Sequence, residues 1–96
     1  MTAILFALVL LTTFEDGGYF WEKKFIGLDA SEWRYRVVSL DVIRAKCKEP
    51  LAVACAEMQT LGPIITACTI YLPVPRSEAP RWMLWHEEQH CKGWVH

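Results

Sequence analysis

Three histidines and a glutamate at the end of this 96-residue chain are the residues best suited to metal chemistry. Residues 86–96 read HEEQHCKGWVH, which fits the pattern H-E-x-x-H-x-x-G-x-x-H and contains every histidine of the chain. On a helix, His86 and His90 lie one turn apart on the same face, about 5–6 Å apart at Cβ. Both imidazoles can therefore reach one ion.

The other two defined residues of the pattern, Glu87 and Gly93, have separate roles in this interpretation. Glu87 projects about 100° around the helix from His86, so its carboxylate can address a metal-bound water instead of the metal. Gly93 lets the chain leave the helix through a left-handed turn, which can bring His96 back as a third ligand. Three protein nitrogens with an open fourth position form a catalytic zinc site. The sequence thus predicts Zn²⁺ bound by His86, His90 and His96, with Glu87 as the catalytic base.

The extended pattern resembles the zinc motif of the metzincin metallopeptidases. In that family the three histidines bind zinc and the glutamate is the general base. The resemblance covers residues 86–96; metzincins continue into a subdomain with a methionine-containing turn, whereas Met58 and Met83 precede the motif here. In zincin folds a mixed sheet packs on the motif helix and an antiparallel edge strand lines the substrate cleft, and residues 66–72 have the sequence position of that strand. The resemblance implies a zinc-dependent peptidase that hydrolyses peptide bonds with a metal-bound water.

A strand and a helix are predicted in the middle of the chain. Apolar and basic residues alternate over residues 33–37, which is the pattern of a half-buried strand. Ser39 then caps a helix that ends before Pro50. Apolar side chains follow at helical spacing in that helix, at Leu40, Ile43 and Cys47. Residues 19–26 are either a short strand or an interfacial segment.

A hairpin and a second helix complete the predicted domain. Residues 51–56 and 66–72 are apolar or β-branched runs on either side of a turn at residues 62–63, which predicts an antiparallel hairpin. Residues 77–80 supply the start of the last helix, which ends near Cys91. We therefore predict an α+β fold: a small zincin-like domain in the order strand-helix-hairpin-helix, with the motif helix packed on a short mixed sheet.

The N-terminal segment is predicted to be separate from that domain. Residues 3–11 are a continuous apolar run, too short to cross a bilayer as a helix, which takes about 20 residues, but long enough for the core of a signal peptide. No basic residue precedes the run and no A-x-A-like site follows it, so a buried element of the domain is the alternative. We divide the chain into residues 1–18, a targeting or anchoring segment with its linker, and residues 19–96, the zincin-like domain. Export to the periplasm or the extracellular space, or membrane anchoring, is expected.

The four cysteines fit an exported protein with two disulfides. The turn at residues 62–63 predicts that Cys55 lies opposite Cys68 and pairs with it, which leaves Cys47 with Cys91. Alternatively, Cys91 is a fourth zinc ligand. The zinc would then have no open coordination position, and the site would be structural.

Composition limits the function classes. Ten basic and eleven acidic residues give a net charge of −1, and without a basic excess no nucleic-acid partner is expected. A peptidase would bind a peptide or protein substrate by pairing it with the edge strand. The alternative is a non-catalytic, zinc-stabilised binding module, exported or membrane-associated, because a core of this size is modest. Glu87 favours the peptidase, since a structural site needs no carboxylate there. Trp82 and Trp85 are expected to pack in the core.

Overall fold

Two three-stranded sheets and two helices are formed by residues 13–16 and 18–96, the part of the chain that this computed structural model describes. The elements are β1 (Thr13–Asp16), β2 (Tyr19–Lys23), β3 (Arg34–Val37), α1 (Leu40–Cys47), β4 (Cys55–Leu61), β5 (Ile64–Leu72), α2 (Arg81–Cys91) and β6 (Trp94–Val95). The α+β class is confirmed, and the order from β3 to α2 is the predicted strand-helix-hairpin-helix. Most of the predicted targeting segment lies outside the described residues. Within them, no helix is long and apolar enough to span a bilayer.

The larger sheet has the strand order β3-β5-β4 and carries one helix on each face. β3 is parallel to β5 and β4 is antiparallel to it, so this sheet is mixed. Side chains alternate between the faces of a strand, and β5 follows this rule: Ile70 packs in the cluster that contains Met83 of α2, whereas Tyr71 packs with Ile43 of α1. The sheet therefore separates α1 from the motif helix α2.

The expectation that residues 66–72 form an edge strand is wrong, because β5 is the central strand of this sheet. Its last three residues are all buried, whereas the residues of β4 beyond Met58 are exposed. A strand buried on both faces is found inside a sheet, not at its edge. Among the described strands β4 pairs with β5 alone, so β4 is the antiparallel edge strand of the larger sheet. β4 also contacts α2.

The helix α1 confirms its predicted capping. The Ser39 hydroxyl accepts a hydrogen bond from the Val42 amide at 3.4 Å, and the helix ends at Cys47, before Pro50. The start of α2 differs from the prediction, because residues 76–78 form a separate 3₁₀ turn and α2 begins only at Arg81. The reason is Pro80: a residue before proline is excluded from the helical region, and Ala79 accordingly has extended dihedral angles.

A second sheet, in the order β1-β2-β6, was not part of the predicted order. β1 and β2 form a hairpin through a turn that includes Gly18, whose φ is +81°. Residues 15–16, assigned from the sequence to the N-terminal segment with its linker, are strand residues of β1. β6 follows α2 directly and pairs antiparallel with β2. Through this pairing, residues 94–95 lie in the small sheet and in contact with the motif helix α2.

Two disulfides are present, but the predicted pairing is wrong. Cys47 bonds Cys55, and Cys68 bonds Cys91, with Cα separations of 6.2 and 5.6 Å. The hairpin register explains the difference, because Cys55 lies opposite Tyr71, three positions from Cys68. An odd offset puts the two cysteines on opposite faces of the sheet. Since Cys91 is bonded to Cys68, it is not a zinc ligand. Two disulfides are typical of proteins in oxidising compartments.

Candidate metal centre

The three histidines converge between α2 and the small sheet. His86 and His90 lie one turn apart on α2 with ring centroids 5.4 Å apart, and the ring of His96 is 5.0 Å from each of them. One ring nitrogen from each histidine lies within 4.8 Å of the others. The structure therefore brings the three predicted ligand residues close enough together to hold a metal ion.

Gly93 makes this convergence sterically feasible. Its φ of +100° ends α2 in a left-handed turn, and a Cβ at this position would overlap the carbonyl oxygen of Phe25. The Gly93 carbonyl accepts hydrogen bonds from the amides of Lys24 and Phe25, at 2.9 and 3.1 Å. β6 is thus anchored to the end of β2, and His96 follows it immediately.

One pair of ring nitrogens has a spacing suited to a tetrahedral ion. The Nε2 atoms of His86 and His96 are 3.1 Å apart, and two nitrogens bound to one tetrahedral zinc are separated by roughly 3.3 Å. His90 Nδ1 lies 2.9 Å from the carbonyl oxygen of Trp94. A carbonyl only accepts hydrogen bonds, so Nδ1 carries the proton and Nε2 is left for a ligand. Metal-binding histidines are commonly oriented by such a bond.

The surroundings of the three rings favour their neutral form. Burial lowers the pKa of His90 to about 4. Burial also lowers the pKa of His86, with a further contribution from the charge of His96, and it lowers the pKa of His96 itself. At neutral pH the imidazoles are therefore unprotonated at one nitrogen, which is the form that binds a metal.

An aromatic floor, formed by Trp21 and Tyr19 of β2, lies against the histidines. The indole of Trp21 is fully buried, and its ring centroid is 4.9, 5.1 and 4.8 Å from those of His86, His90 and His96. The Tyr19 ring is 4.3 Å from His96. Sequence reasoning missed this pair. The available signal was their i, i+2 spacing, which places both rings on one face of a strand.

Glu87 is buried beside the same groove. Its exposed fraction is 7%, and it lies beside the main chain of Ala56 on β4. Burial raises the pKa of Glu87 to about 7, although the nearby main chain of Ala56 acts in the opposite direction. Glu87 and the three histidines all line a groove of about 1320 Å³, which runs along the edge strand.

The two tryptophans before the motif are not in the core, contrary to the prediction. Trp82 is 65% exposed and Trp85 is 38% exposed. The face of α2 that packs toward the larger sheet is formed by Met83, Glu87 and Cys91, which follow each other at four-residue spacing. Trp82 and Trp85 are offset from that row, and both line the groove.

Comparisons with models of known protein families, with curated proteins and with solved structures found no match to this chain. The likeness to metzincins therefore rests on residues 86–96, and the zincin-like fold stays a prediction.

Proposed function

We propose that this protein is a zinc-dependent metallopeptidase. One observation carries the proposal: a buried carboxylate, Glu87, opens into the groove that holds three convergent histidine nitrogens. A purely structural site has four protein ligands and needs no neighbouring base. Here Cys91, the nearest candidate for a fourth ligand, is bonded to Cys68.

Each residue of the site has a defined role in this proposal. His86, His90 and His96 hold the ion, and the Trp94 carbonyl orients His90. Zinc supplies polarisation of the scissile carbonyl and acidifies water. Glu87 accepts a proton from the attacking water and returns it to the leaving amine. Its place on α2 beside Ala56 puts the carboxylate at the boundary between α2 and β4.

The edge strand β4 is the proposed binding surface for the substrate backbone. A strand that pairs on one side only presents free amide and carbonyl groups on the other, and an extended peptide can pair with them. β4 borders the groove through residues 55–58. A peptide paired with this edge therefore passes the histidines and Glu87.

A zinc-stabilised binding module is the second candidate, and one observation favours it. The histidine cluster joins α2 to β6, so a bound ion would fasten the two-residue strand to the helix. Metal bound only by the folded chain adds its binding free energy to stability. Against this, two disulfides already tie α1 to β4 and β5 to α2, which reduces the need for a third cross-link.

The setting proposed for either function is outside the cytoplasm. The two disulfides support export, since such bonds persist in oxidising compartments. Membrane association through the apolar run at residues 3–11 is part of the same proposal.

Glu87→Gln tests the proposed function, with Glu78→Gln as the matched control because Glu78 is exposed and does not line the groove. Both variants should bind one zinc per chain, measured by mass spectrometry after purification without chelator. Hydrolysis of a mixed peptide library should fall about 10²–10⁴-fold in Glu87→Gln only. Tight zinc binding without hydrolysis of any peptide by the parent protein would instead support the binding module.

A further inference from the structure

Four exposed apolar side chains line the groove. Trp82 and Trp85 belong to α2, and Leu51 and Val53 lie in the loop before β4. All four are exposed, at 65%, 38%, 82% and 40%. Single exposed apolar residues are ordinary, but several that line one concave groove are typical of a binding site.

Of these four residues, Trp82 has a position relative to the histidines that helix geometry defines directly. It precedes His86 by four residues, so the two side chains lie on the same face of α2, about 5–6 Å apart at Cβ. Trp85 is held in place by the rings of Phe14 and Trp21, at centroid distances of 6.1 and 5.8 Å. No aromatic contact of Trp82 is found among the described residues. The indole of Trp82 is therefore available to a ligand.

We infer that the groove selects a large aliphatic or aromatic side chain of an extended peptide substrate. This inference rests on the proposed function. A strand advances about 3.3 Å per residue, so a side chain seated on Trp82 lies about two residues from the bond positioned over the histidines. The backbone of the peptide pairs with β4, while Leu51 and Val53 cover the same side chain from the loop. The outer edge of β4, unpaired among residues 13–16 and 18–96, and an apolar wall in the same groove are the features that an extended apolar peptide requires.

The inference is tested on the zinc-loaded full chain with peptides that differ at one position only. Peptides with Leu or Phe at that position should be cleaved about 10–200-fold more efficiently, as kcat/KM, than peptides with Ala. Trp82→Ala should remove most of this preference, so that kcat/KM for the Leu and Phe peptides falls to about the value for the Ala peptide. Leu61→Ala is the control, since Leu61 is 73% exposed at the hairpin end and does not line the groove. Equal cleavage of all peptides, or a preference unchanged in Trp82→Ala, would overturn the inference.

A binding measurement separates this inference from the proposed function. Glu87→Gln, loaded with zinc, is titrated with the same peptides by calorimetry. Tighter binding of the Leu and Phe peptides, lost in the Trp82→Ala, Glu87→Gln double variant, supports the apolar site even if the parent cleaves nothing. Binding without apolar preference overturns it. So does concentration-dependent dimerisation that Trp82→Ala abolishes, because the groove would then be an interface between two copies of the chain.

Discussion

His90 donates a hydrogen bond from Nδ1 to the main-chain carbonyl of Trp94 at 2.9 Å. The bond connects the last turn of α2 to β6, the strand that His96 follows. The orientation of His90 and the position of His96 are therefore coupled through this contact. We expect the histidine cluster to respond as a unit when either α2 or β6 is disturbed.

Replacement of single histidines should reduce zinc binding by different amounts, depending on how firmly the structure holds each histidine. His86→Ala or His90→Ala should abolish zinc binding, because both residues are fixed on α2. His96→Ala should weaken binding less, since His96 is exposed and follows the two-residue strand β6 instead of lying on a helix. Zinc at 100 times Kd stabilises a one-site protein by about 2.7 kcal/mol, so thermal melts with zinc and with chelator measure the effect. If chelator leaves the melting temperature of the parent protein unchanged, the presence of a zinc site would be contradicted.

Trp21 should support both the fold and the metal centre. Trp21→Ala removes a fully buried indole and should cost about 3–5 kcal/mol of unfolding free energy, measured with urea in the presence of chelator. Trp21→Phe retains a ring and should fold, but with weaker zinc affinity, because the floor under the three imidazoles is smaller. Trp82→Phe is the control, as its indole is exposed. Unchanged zinc affinity in folded Trp21→Phe would show that the floor does not position the ligands.

Gly93→Ala and Gly62→Ala form a matched pair, because both glycines have positive φ, +100° and +59°. At Gly62 a Cβ meets nothing within 4 Å, so only backbone strain of about 1–2 kcal/mol is expected. At Gly93 the Cβ overlaps the Phe25 carbonyl, so β6 must move. Gly93→Ala should therefore cost more stability than Gly62→Ala and should also lose zinc. Equal effects in urea unfolding and zinc titration would contradict the proposed role of Gly93.

Tyr35 should make stability depend on pH in the alkaline range. Its hydroxyl donates to Glu88 Oε2 of α2 at 2.6 Å. Burial, followed by the hydrogen bond and charge of Glu88, raises the pKa of Tyr35 to about 12. Because the folded-state pKa lies above the ordinary value of about 10, this contribution to stability is complete below pH 10 and is lost between pH 10 and 12.

Tyr35→Phe is the variant that checks this dependence. It should be less stable than the parent at neutral pH, by about 1–3 kcal/mol, since a hydrogen bond to a charged group is removed. The difference from the parent should shrink above pH 10. Ultraviolet titration should show one late-ionising tyrosine in the parent that is missing from the variant. A difference that stays constant from pH 8 to pH 12 would be inconsistent with a raised pKa for Tyr35.

Short-range patterns were sufficient to predict the existence of both helices and the proximity of the three histidines. The Ser39 cap and the spacing of His86 and His90 depend on residues within a turn or two, whose relative positions are set by helix geometry. The left-handed turn at Gly93 is local in the same way. Both helices, the turn at residues 62–63 and the convergence of the histidine pair could therefore be inferred from the order of residues.

The rest depended on contacts between distant segments. The sequence alone determined the α+β class, the helical histidine pair and the turn that redirects His96. Only the tertiary structure decided that β5 is central, that Cys55 bonds Cys47 and that Trp21 lies against the histidines. Strand order and register are set by which faces are buried when segments far apart in the chain meet, and a shift of one residue reverses every side chain. A two-residue strand such as β6 has no periodicity of its own, so its place follows solely from its partner β2.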